Sequence, residues 1–395
     1  MHSAPPESGP RRPRLTPAIA DVRRAVRATL SSELAEKASP GGRRLAFSAN
    51  SRGEASGLPL VLVALSGGAD SLALAAATAF EAPRAGFRAG AVIVDHGLQE
   101  GSADVAARAA RQATQLGLDP VQISRVMVGR EGGPEAAART ARYDELTVAA
   151  VQHGATAILL GHTLDDQAET VLLGLARGSG ATSLQGMAAS LAVPVPAASA
   201  NDWRIELPDG LVNTSTRAAG AGERELLFLR PLLGIRRVTT AQFCDDSGLE
   251  YWTDPHNSDH AYTRVRVRER VLPLLEDELG PGVAEALVRT AEQLREDAAA
   301  LDHFAEEVAE ELAEVAEAGI SLPVGALAAN PPALRHRLIR LAVQSEFHLS
   351  LSRAHTLEVA RLVTDWHGQG PLDLPGIRVE RADGLIVFTA ARASG

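Results

Sequence analysis

The chain has 395 residues, of which 45% are hydrophobic and 22% charged, a composition typical of a folded protein with about two to three domains. A net charge of −10 excludes a protein covered in basic surface, so a nucleic-acid partner would have to meet a local basic patch. The single cysteine, Cys244, excludes an internal disulfide and a multi-thiolate cluster. With no apolar run of membrane-spanning length and no apolar secretory signal, we expect a cytoplasmic protein without a membrane partner.

We take the chain in order. Residues 1–57 are predicted to form a leader with one amphipathic helix, from about Pro17 to Lys37, and a flexible linker. Four short apolar runs then predict buried strands, at about 60–65, 91–94, 121–128 and 157–160. Four helical patterns alternate with them, at about 70–80, 102–116, 134–153 and 164–176. This alternation predicts a doubly wound, mostly parallel α/β sheet, whose ligands bind beyond the carboxyl ends of the strands.

The second half of the chain is predicted to be mainly helical. An aperiodic stretch at 188–223 predicts a long loop, and Leu226–Leu229 predicts one more buried strand. Helical patterns run to about 247 and then over 264–279, 283–317, 332–345 and 352–366, before short strands at 371–374, 377–380 and 384–389. After the leader we therefore predict an α/β domain (58–245), a helical domain (246–320) and a small α+β C-terminal domain (321–395).

The first strand passes directly into Ser66-Gly67-Gly68-Ala69-Asp70-Ser71 and a helix. Glycines allow the backbone to approach a ligand closely, and the N–H groups at a helix N-terminus favour an anion. We therefore predict a phosphate-binding loop, with an ordinary strand-to-helix turn as the alternative. It is not a Walker loop, because the only lysine in the chain is Lys37, and it lacks the third glycine of the dinucleotide fingerprint.

Two further groups of polar residues favour nucleotide binding. Asp95, at the end of the second strand, is well placed to bind a ribose hydroxyl or an adenine amino group, although Asp-His-Gly also suits a plain turn. Arg139, Arg142 and Tyr143 share one face of a helix by their spacing. Two guanidinium groups there could clamp a triphosphate. The alternative is a solvated face paired with nearby acids.

The third group follows the fourth strand, in the stretch from Leu160 to Leu173. His162 lies at the strand end, and Asp166 and Glu169 share a face of the next helix. Helix capping explains one acid in the first turn but not all three residues together. Such a group suits an ammonium or amine substrate, or a magnesium ion, held against a phosphate.

In order and spacing, these motifs resemble those of the tRNA(Ile)-lysidine synthetases, a family of PP-loop ATP pyrophosphatases. The resemblance is strong over about 60–280 and weaker through the C-terminal part. It also includes the segments Arg177–Gly180, Gly186-Met187, Arg230–Leu233, Asp254–Asn257 and Arg264–Arg268. It implies an enzyme that uses ATP to adenylate the wobble cytidine of the minor isoleucine tRNA with a CAU anticodon. Free L-lysine then displaces AMP and leaves lysidine.

The resemblance also implies a role for each candidate residue. The loop from Ser66 to Ser71 (Ser66, Gly67, Gly68, Ala69, Asp70 and Ser71) would hold the ATP phosphates, and Asp70 would position Mg²⁺. Arg142 and His162 would stabilise charge during adenylation. Asp166 and Glu169 would orient the lysine ammonium group. The arginines implied to contact tRNA are Arg177, Arg264, Arg266 and Arg268.

One segment departs from the family pattern. The chain has Arg264-Val265-Arg266-Val267-Arg268 where the family often has Arg-Asn-x-Ile-Arg, so a hydrogen bond from that asparagine is in doubt. On a helix Arg264 and Arg268 share one face, and Arg266 lies nearly opposite. The alternative to a tRNA contact is pairing with Glu269, Asp254 or neighbouring acids.

Three other functions are alternatives to lysidine synthesis. A small-molecule amidating ligase would share the phosphate loop but would not need the motif from Gly161 to Gly180. A tRNA thiolase would need several cysteines. A non-catalytic RNA-binding module would have lost loop or acidic residues, which are all present. The sequence does not determine the oligomeric state, and a homodimer is one option.

Overall fold

The computed structural model describes residues 15–34, 57–97, 101–126, 134–178, 180–196, 223–254, 259–312, 314–316 and 319–391. Its contacts divide the chain into two compact units, Met1–Glu292 and Gln293–Gly395. The domain boundaries expected near 57, 245 and 320 stay predictions. Among the described residues, no helix is both long and apolar enough to span a membrane.

In the described part of the first unit, six strands form one sheet in the order β3-β2-β1-β4-β6-β5. They are β1 (Leu60–Ala64), β2 (Arg88–Asp95), β3 (Val121–Arg125), β4 (Ala157–Leu159), β5 (Ser190–Pro196) and β6 (Glu223–Leu229). All neighbours pair in parallel except β5, which runs antiparallel to β6 at the edge. The predicted mostly parallel α/β fold is thus confirmed.

The helices of this unit connect the strands and cover both faces of the sheet. They are α1 (Pro17–Thr29), α2 (Ala69–Glu81), α3 (Ser102–Gln115), α4 (Pro134–His153), α5 (Leu164–Arg177), α6 (Ala181–Leu184), α7 (Arg237–Ser247), α8 (Thr263–Arg266) and α9 (Leu272–Leu279). A π-helical turn, Val267–Val271, joins α8 to α9. One buried cluster includes Leu72 and Val63, and another, around Tyr143 and Leu62, lies on the opposite side of the sheet.

The predicted N-terminal helix is present as α1 and continues into a π-helical turn, Leu30–Leu34. Its apolar side is fully buried at Val22 and Val26 within the core that contains α2. Two of its arginines bind the buried carboxylate of Glu81, Arg23 at 2.7 Å and Arg27 at 2.9 Å. The helix is therefore an integral part of this unit. The predicted linker lies almost wholly outside the described residues.

The prediction of a long loop at 188–223 is wrong at the start of this stretch, where β5 forms. Leu191, Val193 and Val195 alternate with an alanine and two prolines, and an edge strand tolerates proline because its outer side needs no ladder hydrogen bond. The alternation is short and rich in alanine and proline, which hides the strand signal. Residues 197–222 lie outside the described residues.

The described part of the second unit contains a five-stranded antiparallel sheet in the order β7-β8-β11-β10-β9. Its strands are β7 (Glu314–Ala316), β8 (Gly319–Pro323), β9 (Leu372–Leu374), β10 (Ile377–Ala382) and β11 (Leu385–Ala390). The associated helices are α11 (Val324–Ala329), α12 (Pro332–Phe347) and α13 (Arg353–Thr364), while α10 (Val283–Leu312) crosses from the first unit. The helix expected to reach 317 therefore ends earlier, and β7, β8 and α11 were not predicted.

Candidate active site

The predicted phosphate loop is a closed turn between β1 and α2. The Ser66 N–H donates to Ser71 Oγ at 3.1 Å, and Ser71 Oγ donates to the Gly68 carbonyl at 3.0 Å. Gly67 has a φ of +85°, which glycine adopts readily. Because α2 begins at Ala69, the first N–H groups of this helix have no partner within it. The loop therefore has backbone donors that an anion could use, and phosphate binding there stays a prediction.

Asp70, in the first turn of α2, is held by residues of α7. Thr240 Oγ1 donates a hydrogen bond to Asp70 Oδ1, and Arg237 Nε lies 3.5 Å from Asp70 Oδ2. Burial raises the pKa of Asp70, although Thr240 and Arg237 oppose the rise. Asp70 is thus a single carboxylate beside a phosphate loop. A magnesium ion that takes most of its ligands from ATP phosphates and water needs only one or two such carboxylates.

The turn after β4 lies directly against the phosphate loop. A Cβ on Gly161 would come within 3.1 Å of the Ser71 nitrogen and 3.2 Å of its Cα. Glycine therefore permits a close backbone approach that a side chain would obstruct. This contact brings His162 and the N-terminus of α5 to the same edge of the sheet as the phosphate loop, which confirms their predicted placement.

Glu169 is the centre of an arginine–carboxylate cluster that we define as Asp166, Glu169, Arg237, Arg264 and Arg268. Its side chain is fully buried and accepts hydrogen bonds from all three arginines. Arg268 binds it through two nitrogens, at 2.7 and 3.0 Å, and Arg264 Nε lies 2.8 Å away. Both carboxylate oxygens are therefore occupied by guanidinium groups.

Asp166 belongs to the same cluster, and its Oδ1 lies 3.6 Å from a nitrogen of Arg264 and 3.5 Å from a nitrogen of Arg268. Its Oδ2 accepts from the N–H and the hydroxyl of Thr163, which caps α5. Its Oδ1 accepts from Arg237 Nη2 at 2.8 Å. Burial alone would raise the pKa of Asp166, but Arg237 and Arg264 lower it to about 2. Asp166 is therefore ionised at physiological pH.

The predicted tRNA-contacting arginines fall into three different settings. Arg264 and Arg268 share one face, as predicted, and that face meets Glu169 rather than Glu269 or Asp254. Arg266 points elsewhere and donates to the carbonyls of His260 and Ala261 at 2.7 and 2.9 Å. Arg177 is exposed at the end of α5. Their role toward tRNA stays a prediction.

The predicted nucleotide-contacting residues lie along the same edge of the sheet. Asp95 is buried, and its Oδ1 accepts from the Gly97 N–H at 2.9 Å, a local turn contact. Burial would raise its pKa, but hydrogen bonds from Gly97 and Ser102 lower it. Arg142 Nε donates to His96 Nε2 at 3.4 Å. These contacts position the side chains and leave their predicted roles untested.

His162 is neutral in this environment. Burial, reinforced by the charge of Arg230, lowers its pKa to about 3. Its Nδ1 is buried without a hydrogen-bond partner among the described residues. A neutral imidazole can donate one hydrogen bond and accept another, so His162 would act on a developing charge as a hydrogen-bond donor rather than as a cation.

Arg237 is a site residue that sequence reasoning missed. It is the first residue of α7, bridges Asp70, Asp166 and Glu169, and has a pKa that these carboxylates raise despite its burial. One signal could have indicated it. A cation is unfavourable at a helix N-terminus unless carboxylates compensate for it, so an arginine there suggests acidic partners.

Comparison with known proteins identifies the family of this chain. Residues 46–275 match the PP-loop domain family, and residues 322–386 match the TilS substrate binding domain. The tRNA(Ile)-lysidine synthase of Leifsonia xyli subsp. xyli is 62% identical over 330 residues, covering 83% of this chain and 89% of that protein. The chain belongs to the tRNA(Ile)-lysidine synthase family.

Other family members extend the similarity. The tRNA(Ile)-lysidine synthase of Streptomyces coelicolor is 50% identical, covering 82% of this chain and 84% of that protein. The one from Thermobifida fusca is 48% identical, covering 84% and 92%. The resemblance predicted from the motifs is confirmed, and the PP-loop domain supports the predicted use of ATP.

Proposed function

We propose that this chain makes lysidine at the wobble cytidine of the isoleucine tRNA with a CAU anticodon. The cytidine 2-carbonyl oxygen attacks the α-phosphorus of ATP and pyrophosphate leaves. The amine of free L-lysine then attacks C2, the bond to oxygen breaks, AMP leaves and the amine loses a proton. The close approach of Gly161 to Ser71 carries the proposal, because it brings the start of α5, the helix of Asp166 and Glu169, up to the predicted phosphate loop.

The residues at the phosphate loop serve the adenylation step. The N–H groups at the start of α2 hold ATP phosphates, and Asp70 helps to hold Mg²⁺, which when bound neutralises phosphate charge. His162 donates a hydrogen bond to the charge that develops on the phosphate or the departing group. Arg142 supplies a permanent positive charge on the neighbouring helix, α4.

The two acids of α5 have different roles in lysine binding. Glu169 is completely surrounded by guanidinium groups, so it acts as a positioning residue for Arg237, Arg264 and Arg268. Asp166 is 13% exposed and lies at the edge of the cluster. Asp166 therefore meets the lysine ammonium group.

The arginines outside this cluster are the better candidates for tRNA. Arg177 is exposed at the end of α5, and Arg266 lies on the opposite face of its helix from Arg264. Among the described residues neither is paired with a carboxylate, so both can approach a phosphate. The second unit matches the TilS substrate binding domain, which supports a tRNA contact there as well.

The single cysteine argues against the thiolase alternative. Cys244 is fully buried, and its Sγ donates to the Ala69 carbonyl at 3.5 Å. Burial raises the pKa of this thiol to about 12, so it stays protonated. A protonated, buried thiol is a poor nucleophile and a poor metal ligand.

The test is incubation with ATP, Mg²⁺, radiolabelled lysine and bulk bacterial tRNA. We expect acid-precipitable label that resists mild alkaline deacylation. Asp70→Ala should abolish pyrophosphate release, whereas Asp166→Ala should release pyrophosphate but lose lysine transfer. Asp104→Ala removes an exposed acid from the first turn of α3 and is the matched control. Pyrophosphate release with another amine donor, and no label in tRNA, would support the amidating ligase instead.

A further inference from the structure

Arg230, directly after β6, is a buried guanidinium with two unused donors. The residue is 2% exposed, and its Nη1 donates to the Ala188 carbonyl at 2.7 Å. Within the described residues, its Nε and Nη2 have no hydrogen-bond partner. These two atoms share one edge of the planar group, the edge with which arginine binds both oxygens of a carboxylate or phosphate. A buried cation with this edge unused indicates an anionic ligand.

Other buried donors lie beside Arg230, and we define the Arg230 pocket as Arg230, His162, Tyr143 and Arg139. β4 and β6 are parallel with Leu159 opposite Leu229, so His162 and Arg230 follow the carboxyl ends of adjacent strands. The Tyr143 ring packs on Phe228, 5.3 Å between centroids. Tyr143 Oη and His162 Nδ1 are also buried without partners among the described residues.

The charge of the Arg230 pocket favours an anion as well. The Arg139 guanidinium lies 5.2 Å from the ring centroid of Tyr143. Burial is the main cause of the lowered pKa of both His162 and Arg139, and the positive charge of Arg230 lowers each of them further. An oxyanion would relieve this repulsion and satisfy the unused donors together.

The proposed reaction has two oxyanions that could occupy this pocket, an ATP phosphate and the carboxylate of lysine. The position of the pocket favours the carboxylate. The N–H groups proposed to bind the ATP phosphates follow β1, and β4 lies between β1 and β6. Arg230, which follows β6, is therefore about 10 Å from the phosphate loop along the edge of the sheet. Lysine has its carboxylate at one end and its reactive amine at the other, separated by a chain of methylenes. It can therefore reach from this pocket toward the acids of α5.

We propose that Arg230, assisted by Tyr143, binds the carboxylate of the lysine substrate. The inference rests on the proposed function. It makes Arg230 a specificity residue, because the pocket distinguishes an amino acid from a simple diamine. Without a carboxylate to pair with it, the buried guanidinium keeps its donors unsatisfied, and a diamine binds poorly.

The test compares lysine with cadaverine, the diamine that lacks the carboxylate, as amine donors to tRNA. The wild-type enzyme should prefer lysine strongly. In Arg230→Met we expect kcat/KM for lysine to fall by roughly 10- to 150-fold, the range for loss of a hydrogen bond to a charged group, mainly through KM. The kcat/KM for cadaverine and the KM for ATP should stay within about two-fold, since neither involves the carboxylate.

Arg224→Met is the matched control. Arg224 lies at the other end of β6 and donates to the Ala155 carbonyl at 2.7 Å, far from the pocket. It should leave the preference for lysine unchanged. If Arg230→Met fails to fold, as judged by circular dichroism, Arg230→Lys replaces it, because it keeps a positive charge but loses the two-donor edge.

Three outcomes would overturn the inference. An unchanged preference for lysine over cadaverine in a folded Arg230 variant would make Arg230 structural. A raised KM for ATP and slower pyrophosphate release, with the preference unchanged, would assign the pocket to a phosphate. Equal use of both amines by the wild type would exclude carboxylate recognition. Absence of any lysine transfer by the wild type would instead contradict the proposed function itself.

Discussion

At the scale of single residues, Asp166 and Glu169 show what spacing can and cannot predict. Their separation on α5 predicts two acids on one face, and the structure confirms it. The spacing does not distinguish their environments. Glu169 is completely buried by three arginines, whereas Asp166 caps the helix and stays partly exposed. Only the folded arrangement separates a positioning residue from a substrate-binding one.

Glu169→Gln should destabilise the first unit by about 3 kcal/mol, the low end for breaking a buried ion pair, because the arginines are partly exposed. It should also raise the KM for lysine, since Arg237 would lose its anchor beside Asp166. Urea unfolding and steady-state kinetics measure the two effects. The control is Glu278→Gln on the exposed side of α9. A loss of stability no greater than that of the control would contradict the role of the cluster.

The lowered pKa of His162 predicts how stability depends on pH. The folded protein disfavours the proton that the unfolded chain binds below about pH 6.5, so stability should fall as pH falls from 6.5 toward 3. The slope should reach at most about 1.4 kcal/mol per pH unit from this group. Asp166, whose pKa is also lowered, adds a further loss between about pH 4 and 2.

Urea unfolding at pH 7, 6, 5 and 4 measures this slope. His162→Gln should flatten the curve between pH 6.5 and 4, because glutamine does not titrate. His260→Gln changes an exposed histidine of the same unit and is the control. Parallel curves for the wild type and His162→Gln would show that His162 is not held neutral by the fold.

At the scale of elements, the strand-to-helix connections carry most of the predictable information. Both β1–α2 and β4–α5 are short and are marked by glycine and capping residues, so their positions follow from the sequence. β5 and β8 were missed because their patterns are short. The place of α1 in the core was missed because an amphipathic helix does not reveal which surface it covers.

Gly161→Ala should push the β4–α5 connection away from the β1–α2 connection. The added methyl group would lie 3.1 Å from the Ser71 nitrogen, a contact that requires the backbone to shift. We expect kcat/KM for ATP to fall about ten-fold or more, since misplaced catalytic groups are costly, while the circular dichroism spectrum is unchanged. Gly234→Ala is the control, because its added methyl group would meet no atom within 4 Å. Equal activity in both variants would contradict the role of this close approach.

At the scale of the whole chain, the sequence predicts the sheet, the strand-to-helix loop and the position of the acids. It does not predict which arginines pair with those acids. The arginines on Glu169 come from 68 to 99 residues further along the chain. Partners so distant leave no periodic signal, and the sequence offered Glu269 as an equally reasonable partner for the same arginines. Such pairings follow only from the packing of α7, α8 and the π-helical turn after α8 against α5.

The most direct test of the central claim uses two transcripts of the isoleucine tRNA, one with the wobble cytidine and one with uridine in its place. Each is incubated with the enzyme, ATP, Mg²⁺ and labelled lysine, then digested to nucleosides. The account predicts one labelled cytidine derivative from the first transcript, with one AMP released for each lysine, and no label in the second. Label in both transcripts, or in neither while ATP is cleaved, would contradict it.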